Sequence, residues 1–218
     1  MKPVEAEGRR STVSMFYHEG SRRLQDLFDS RRLADRVEQR DLHRDLKDWE
    51  RDFVESAPMF FLATADSEGR PDVSYKGGLP GFVRVVGPHT LVFPNYDGNG
   101  MYMSLGNVLV NPSVTLLFMT WGERPRRLRV QGNAAISDDE ELVSSYPGAQ
   151  FVIQVDIKRI SDNCPRYIHR MELVEYSRYV PEPDREPPVP DWKFDPAYRD
   201  VLPDRDLTPE EIAARDGR

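Results

Sequence analysis

The sequence predicts a mainly β protein, a barrel or sandwich with helices at its flanks. Short apolar or alternating runs follow one another between residues 58 and 161, at near-regular spacing. Turn residues separate them, and most of the glycines fall in this zone. Helical patterns do not alternate with the strands, as a parallel βαβ sheet would require.

Taken in order, Met59–Ala65 (MFFLATA) is a continuous apolar run, the pattern of a strand buried on both faces. Asp66-Ser67-Glu68-Gly69 is a turn, and Pro71–Lys76 is the next strand. Gly77-Gly78-Leu79-Pro80-Gly81 interrupts the chain before Phe82–Val86, and Gly87-Pro88 before Thr90–Phe93. A helix is expected over Gly100–Val110, stopped by Asn111-Pro112. Ser113–Thr120 and Arg127–Ile136 are further strands. Ser137 is placed to cap a helix over Asp138–Ser145, whose first-turn acids suit the helix dipole. In the last strand, Phe151–Ile160, the residues Phe151, Ile153, Val155 and Ile157 share one face.

The flanks differ in texture. In residues 1–57, Ser30 is a cap for a helix over Arg31–Arg40, and Leu42, Leu46, Trp49 and Phe53 form one apolar stripe of a further helix. Residues 181–209 carry eight of the 18 prolines and read as a surface strap, with Trp192 and Phe194 expected to dock. The organisation expected is a helical extension over 1–57, a barrel domain over 58–180 and a Pro-rich strap over 181–218.

Composition narrows the function. The 218 residues hold 30 basic and 37 acidic side chains, a net charge of -7, which argues against bulk binding of a nucleic-acid backbone. One cysteine, Cys164, rules out an internal disulfide framework and a multi-cysteine metal site, and a free cysteine is most often buried and inert. His18, His43, His89 and His169 are scattered, so spacing supports no metal centre; His43 and His89 read as surface residues. No run approaches the roughly 18 apolar residues of a spanning helix, and the first thirty residues lack an apolar signal core. A soluble cytoplasmic protein is the expectation, with no nucleic-acid or membrane partner.

The standard catalytic signatures are missing: there is no Walker A sequence, no Gly-x-Gly-x-x-Gly between strand and helix, no Gly-x-Ser-x-Gly and no His-Glu-x-x-His. Three polar segments stand out instead. Ser74-Tyr75-Lys76-Gly77-Gly78 puts a hydroxyl, an aromatic ring and a cation at a strand end, beside glycines that admit a planar ligand. Asn95-Tyr96-Asp97-Gly98-Asn99-Gly100-Met101 runs into a helix whose free N–H groups suit a phosphate. Arg127 and Arg129 share a strand face. Taken singly, the glycines are explained by turns and the arginines by surface ion pairs.

These segments also carry a family resemblance. Phe61–Asp66, Gly69–Ser74, the Lys-Gly-Gly and Pro-Gly-Phe-Val-Arg pieces, Asn95–Asn107, Asn111-Pro112 and Arg127–Gly132 occur in the order found in the pyridoxamine 5′-phosphate oxidase-like family, and Asn163–His169 resembles one branch of it. The resemblance spans about residues 22–180. It implies a six-stranded split β-barrel of Greek-key type, a homodimer, and FMN held at the subunit interface. The residues it assigns to the cofactor are Ser74, Lys76, Gly77, Gly78, Phe82, Val83, Asn95, Tyr96, Asn99, Gly100, Met101 and Ser104, with Arg127 and Arg129 reaching across the dimer. Vitamin B6 oxidases resemble Ser-Arg-Lys at the phosphate turn, where this chain has Gly98-Asn99-Gly100. Their substrate-binding Arg and His have only Arg166 and His169 as stand-ins here.

The expectation is therefore an FMN-dependent oxidoreductase of a small organic substrate that does not oxidise vitamin B6. Tyr75 and Tyr96 are the nearest acid/base candidates, and no catalytic residue is assigned. Split barrels of this kind also serve deazaflavin F420, whose acidic tail would use basic residues near 22–32 and 124–129. The alternative from another class is a flavin-binding or storage protein without turnover.

Overall fold

The computed structural model describes residues 14, 16–185 and 187–216. Three helices come first: α1 (Glu19–Leu27), α2 (Arg31–Asp41) and α3 (Asp48–Ser56). The sheet is built from β1 (Met59–Ala65), β2 (Pro71–Gly77), β3 (Arg84–Gly87), β4 (Thr90–Tyr96), β5 (Ser113–Thr120), β6 (Arg126–Ser137) and β7 (Ala149–Asp162). Helix α4 (Met103–Val110) follows β4, and α5 (Glu140–Ser144) links β6 to β7. Two short helices, α6 (Pro196–Arg199) and α7 (Pro209–Asp216), lie in the tail. No helix among the described residues is long and apolar enough to cross a membrane.

The strands form one seven-stranded sheet in the order β2-β1-β5-β6-β7-β4-β3, and every pairing is antiparallel. The fold is the mainly β split barrel expected, with seven strands in place of six. Closure is read from the core. In a flat sheet the steps from β1 to β4 would span roughly 19 Å. Yet the ring of Phe60 on β1 meets that of Phe93 on β4 edge-on, with centroids 5.0 Å apart, and that of Phe118 on β5 at 5.1 Å. The sheet therefore curls around these rings, and its two edges, β2 and β3, are left unpaired with each other.

A bulge sharpens that curl. The β6–β7 register shifts between Gln131 and Gly132, which lets Ile157 and Ile160 both face the core although they are three residues apart. Gly132 is needed there, because a Cβ would lie 2.3 Å from the Asp156 carbonyl oxygen.

Several local expectations are corrected. The run Met59–Ala65 is not buried on both faces: Phe61, Ala63 and Ala65 look outward and are half-buried. Residues 42–47 are not helical, because His43 pairs as an isolated bridge with Ile160 of β7. Leu46, Trp49 and Phe53 still pack on the core. His43 is more than a surface residue, since its Nε2 lies 2.8 Å from the fully buried Glu50 carboxylate. Ser30 precedes α2 without a capping bond; its hydroxyl donates to the Gln25 carbonyl instead. The helix expected from Gly100 starts at Met103, because Gly100 and Tyr102 adopt left-handed backbone, at φ 75° and 47°. Asp139, not Ser137, caps α5, its carboxylate accepting the Leu142 N–H at 2.8 Å. Cys164 is exposed. In the strap, Lys193 and Leu202 are buried, each at 4% exposure, while Trp192 and Phe194 stand 39% and 61% exposed.

The Phe60 contact gives a direct test. Phe60→Ala is expected to cost about 3–5 kcal/mol of unfolding free energy, as a large cavity at the centre of the core. Phe61→Ala, one residue on but facing outward, should cost well under half of that. Urea unfolding followed by circular dichroism measures both, and equal losses would place the closing contact elsewhere.

Candidate functional site

A polar cavity of about 380 Å³ lies between the edge strand β2 and the end of β4. One wall is β2. Its period of two points Asp72, Ser74 and Lys76 to one side, into the cavity, and Val73 away from it; Tyr75 lines the cavity as well. The opposite wall is the end of β4 and the loop from Tyr96 to Tyr102. The floor is the first turn of α4, tied to β2 by Ser104, whose hydroxyl donates to Asp72 at 2.5 Å and lies 2.9 Å from the Ser74 hydroxyl. Because Tyr102 makes no side-chain cap, the first N–H groups of this helix have no side-chain acceptor.

The cavity brings together Ser74, Lys76, Gly77, Phe82, Asn95, Tyr96, Asn99, Gly100, Met101 and Ser104. The remaining expected residues lie elsewhere. Gly78 lines a neighbouring apolar cavity, and Val83 is sealed in the core. Arg127 and Arg129 sit on the outer face of β6, away from the cavity of their own protomer. Arg127 donates to the Cys164 carbonyl at 3.0 Å, so it is not paired with a carboxylate. The glycines have an internal cause as well. A Cβ on Gly77 would come within 2.6 Å of the Tyr75 ring, and one on Gly78 within 2.4 Å of Phe82.

Electrostatically, Lys76 is the open cation. Burial holds its ammonium below the ordinary lysine value, with Asp72 opposing, and it makes no hydrogen bond or ion pair with a described residue. Burial also raises the Tyr96 hydroxyl, with Arg84 opposing, so at neutral pH Tyr96 is a donor and not a base. Among the described residues no cluster of His, Cys, Asp or Glu is arranged to hold a metal ion.

Sequence reasoning missed the network that holds the loop. Gln150 accepts from Asn95 at 2.9 Å and from the Tyr102 hydroxyl at 3.0 Å, and donates to Asp97 at 3.0 Å. Asp97 also receives Lys193 at 2.6 Å and Arg205 at 2.8 Å, both from the strap, and Lys193 reaches Asp206 at 2.8 Å. Strap and cavity loop are thus one charged unit. Period-two reading of β2 would have found Asp72 beside Ser74 and Lys76. Nothing local could find Lys193, 96 residues from its partner Asp97.

The family model for pyridoxamine 5′-phosphate oxidase matches residues 46–164, from just before α3 to just beyond β7. Among solved structures, HupZ from Group A Streptococcus is similar at 17% identity, over 54% of this chain and 93% of that one, with a TM-score of 0.43. An FMN-binding protein from Syntrophomonas wolfei is similar at 12% identity, over 67% and 96%, with a TM-score of 0.40. A FAD-binding protein from Mesorhizobium loti is similar at 16% identity, over 56% and 96%, with a TM-score of 0.39. No curated protein matches the chain.

The strap contact makes a pH prediction. Burial raises the Asp97 carboxyl, but the bonds from Lys193 and Arg205 outweigh it and hold the group below the usual 3.8. Burial lowers Lys193, but Asp206 and Asp97 outweigh it and hold the amine above 10.5. A depressed carboxylate adds stability above its unfolded value and loses it as pH falls through the folded one; a raised lysine does the reverse at alkaline pH. Strap docking should therefore be level from about pH 5 to 9 and be released beyond both ends. Trp192 emission in a Trp49→Phe, Trp121→Phe background follows it. Lys193→Met should release the strap at pH 7 and open the tail to protease; an unchanged tail would show that the pair does not hold it.

Proposed function

The chain belongs to the pyridoxamine 5′-phosphate oxidase family, and from that premise we propose that it binds FMN and acts as an FMN-dependent oxidoreductase on a small organic substrate, two copies completing each site. The observation that carries this reading is the composition of the cavity: an unpartnered, desolvated lysine, an uncapped helix start and a side-chain-free strand end around one space. A volume near 380 Å³ lies in the range of small-molecule sites.

The donor set suits a flavin mononucleotide. Lys76 and the N–H groups at the start of α4 are donors for a phosphate, the helix dipole adding to both. Asn99, Ser74 and the Tyr96 hydroxyl are neutral polar groups for a polyol chain and ring edge, and Phe82 and Gly77 offer flat apolar surface. Asp72 is the one carboxylate opposed to an anion that the strap does not neutralise, and Ser104 and Lys76 face it. When bound, the flavin supplies the redox chemistry; the protein binds, orients and shields it. Tyr96, held protonated, donates a hydrogen bond and removes no proton. With Gly98-Asn99-Gly100 at the phosphate turn, vitamin B6 oxidation is not part of this proposal. FMN is preferred to F420 because Arg22 and Arg31 are already committed to Asp35 and Asp26.

In a dimer Arg127 and Arg129 would serve the other subunit's cavity. Arg129 has no carboxylate partner among the described residues, and its charge helps burial to hold the neighbouring Arg159 below its ordinary value, with Glu38 opposing, so a phosphate would relieve it.

Fluorescence-quenching titrations with FMN and riboflavin test this. A charge-assisted contact is worth about 1.5–3 kcal/mol, so Lys76→Met should weaken FMN roughly ten- to a hundredfold and spare riboflavin, which lacks the phosphate. Arg127→Ala and Arg129→Ala should do the same if the subunits share sites, and sedimentation should give a dimer at micromolar concentration. Equal losses for both ligands would mean that these residues act through folding. A stable monomer that still binds FMN would remove the arginines from the site. Consumption of NAD(P)H separates an enzyme from a flavin carrier.

A further inference from the structure

A second cavity, of about 900 Å³, opens beside the polar one and shares Tyr75, Gly77 and Tyr96 with it. We propose that this cavity binds a planar apolar molecule, uncharged or cationic, and that it selects against anionic ones. That the molecule is the substrate rests on the flavin reading above; that the cavity binds it does not.

The walls differ in origin. One side is the end of β5 and the turn after it, where Met119 and Trp121 stand. The other is residues 171–180, an extended segment outside the part of the chain that matches the family model. The Met171 N–H donates to the Trp121 carbonyl at 3.2 Å and pins the segment at one end, and a turn from Ser177 to Val180, bonded at 3.0 Å, closes the other. Between these points the residues are exposed, and among those lining the cavity Leu173, at 60%, and Tyr176, at 45%, leave apolar surface open to it. Aromatic rings and methionines suit a planar guest, since rings stack and the unbranched thioether adapts its shape.

Charge gives the selectivity. Among the described residues no lysine, arginine or histidine lines the cavity, while Glu172 and Glu175 both do. An anion entering would lose water without gaining a counter-charge, whereas a neutral or cationic guest avoids that cost. The polar cavity next door has the opposite bias, with Lys76 open. The shared Tyr75, Gly77 and Tyr96 make the two spaces continuous, so a guest in the second lies against a ligand held in the first.

The test uses two dyes of similar apolar surface: Nile red, which is neutral, and anilinonaphthalene sulfonate, which is anionic. Nile red should bind saturably with bright emission, and the sulfonate at least tenfold more weakly. Leu173→Asp should weaken Nile red at least tenfold and leave the FMN titration unchanged. Glu172→Lys with Glu175→Lys should bring the sulfonate up to the affinity of Nile red. Equal binding of both dyes, or Nile red binding untouched by Leu173→Asp, would overturn the proposal. So would a result in which Leu173→Asp changes only the sedimentation coefficient, because a second copy would then occupy the cavity. Nile red binding in a protein that takes no FMN would leave this inference standing while the flavin reading fell, and the reverse result would separate them the other way.

Discussion

Closure of the sheet is the constraint on which the rest of the structure depends. Phe60 brings the β1 side of the sheet against Phe93 on the β4 side. Since β2 is the neighbour of β1, and the Tyr96–Tyr102 loop leaves β4, the same contact brings the two walls of the polar cavity together. The cavity is what remains between the edge strand β2 and the end of β4 that β3 leaves unpaired. Its polarity follows from that, because an unpaired edge keeps solvated groups beside it. Its position is set by a rigid aromatic core.

The second organising element is electrostatic and lies outside the barrel. Asp97 belongs to the cavity loop, and its neutralising cations come from the C-terminal strap. A carboxylate facing the cavity would oppose the field of Lys76 and of the free N–H groups of α4. Lys193 and Arg205 cancel that charge, and Gln150 ties the same carboxylate to Asn95 and Tyr102. The strap therefore sets both the charge and the shape of the loop. A buried lysine between two aspartates is stable only as a group, since removing one partner leaves a charge without compensation.

The two cavities divide the chemistry by charge. The polar one has an open lysine and helix N–H groups; the apolar one has methionines, aromatic rings and glutamates. They meet at Gly77, where the wall has no side chain. On the proposed reading, the separation keeps a charged cofactor and a less polar molecule in adjacent but distinct environments. The family-matched residues build the first cavity, and a segment beyond them builds half of the second.

Much of this was legible in the sequence, for local reasons. Alternation and turn residues located each strand, because side-chain period and backbone punctuation are properties of adjacent residues. Ser74 and Lys76 came to one wall, Asn95 and Asn99 to the other and Ser104 to the floor by the same logic, since they lie on one face of a strand, in the loop after a strand or at a helix start. Helix starts were misread where two left-handed residues, Gly100 and Tyr102, delayed α4, and where a bridge from His43 to Ile160 replaced a turn of helix. The anchor of the Pro-rich tail was not legible: hydrophobicity pointed to Trp192 and Phe194, whereas Lys193 is buried, together with Leu202. Apolar side chains announce burial by type, whereas a lysine is buried only when two carboxylates happen to face it. Those carboxylates, Asp97 and Asp206, are brought to it by the fold, and so pairing of charges distant in sequence was decided by tertiary structure alone.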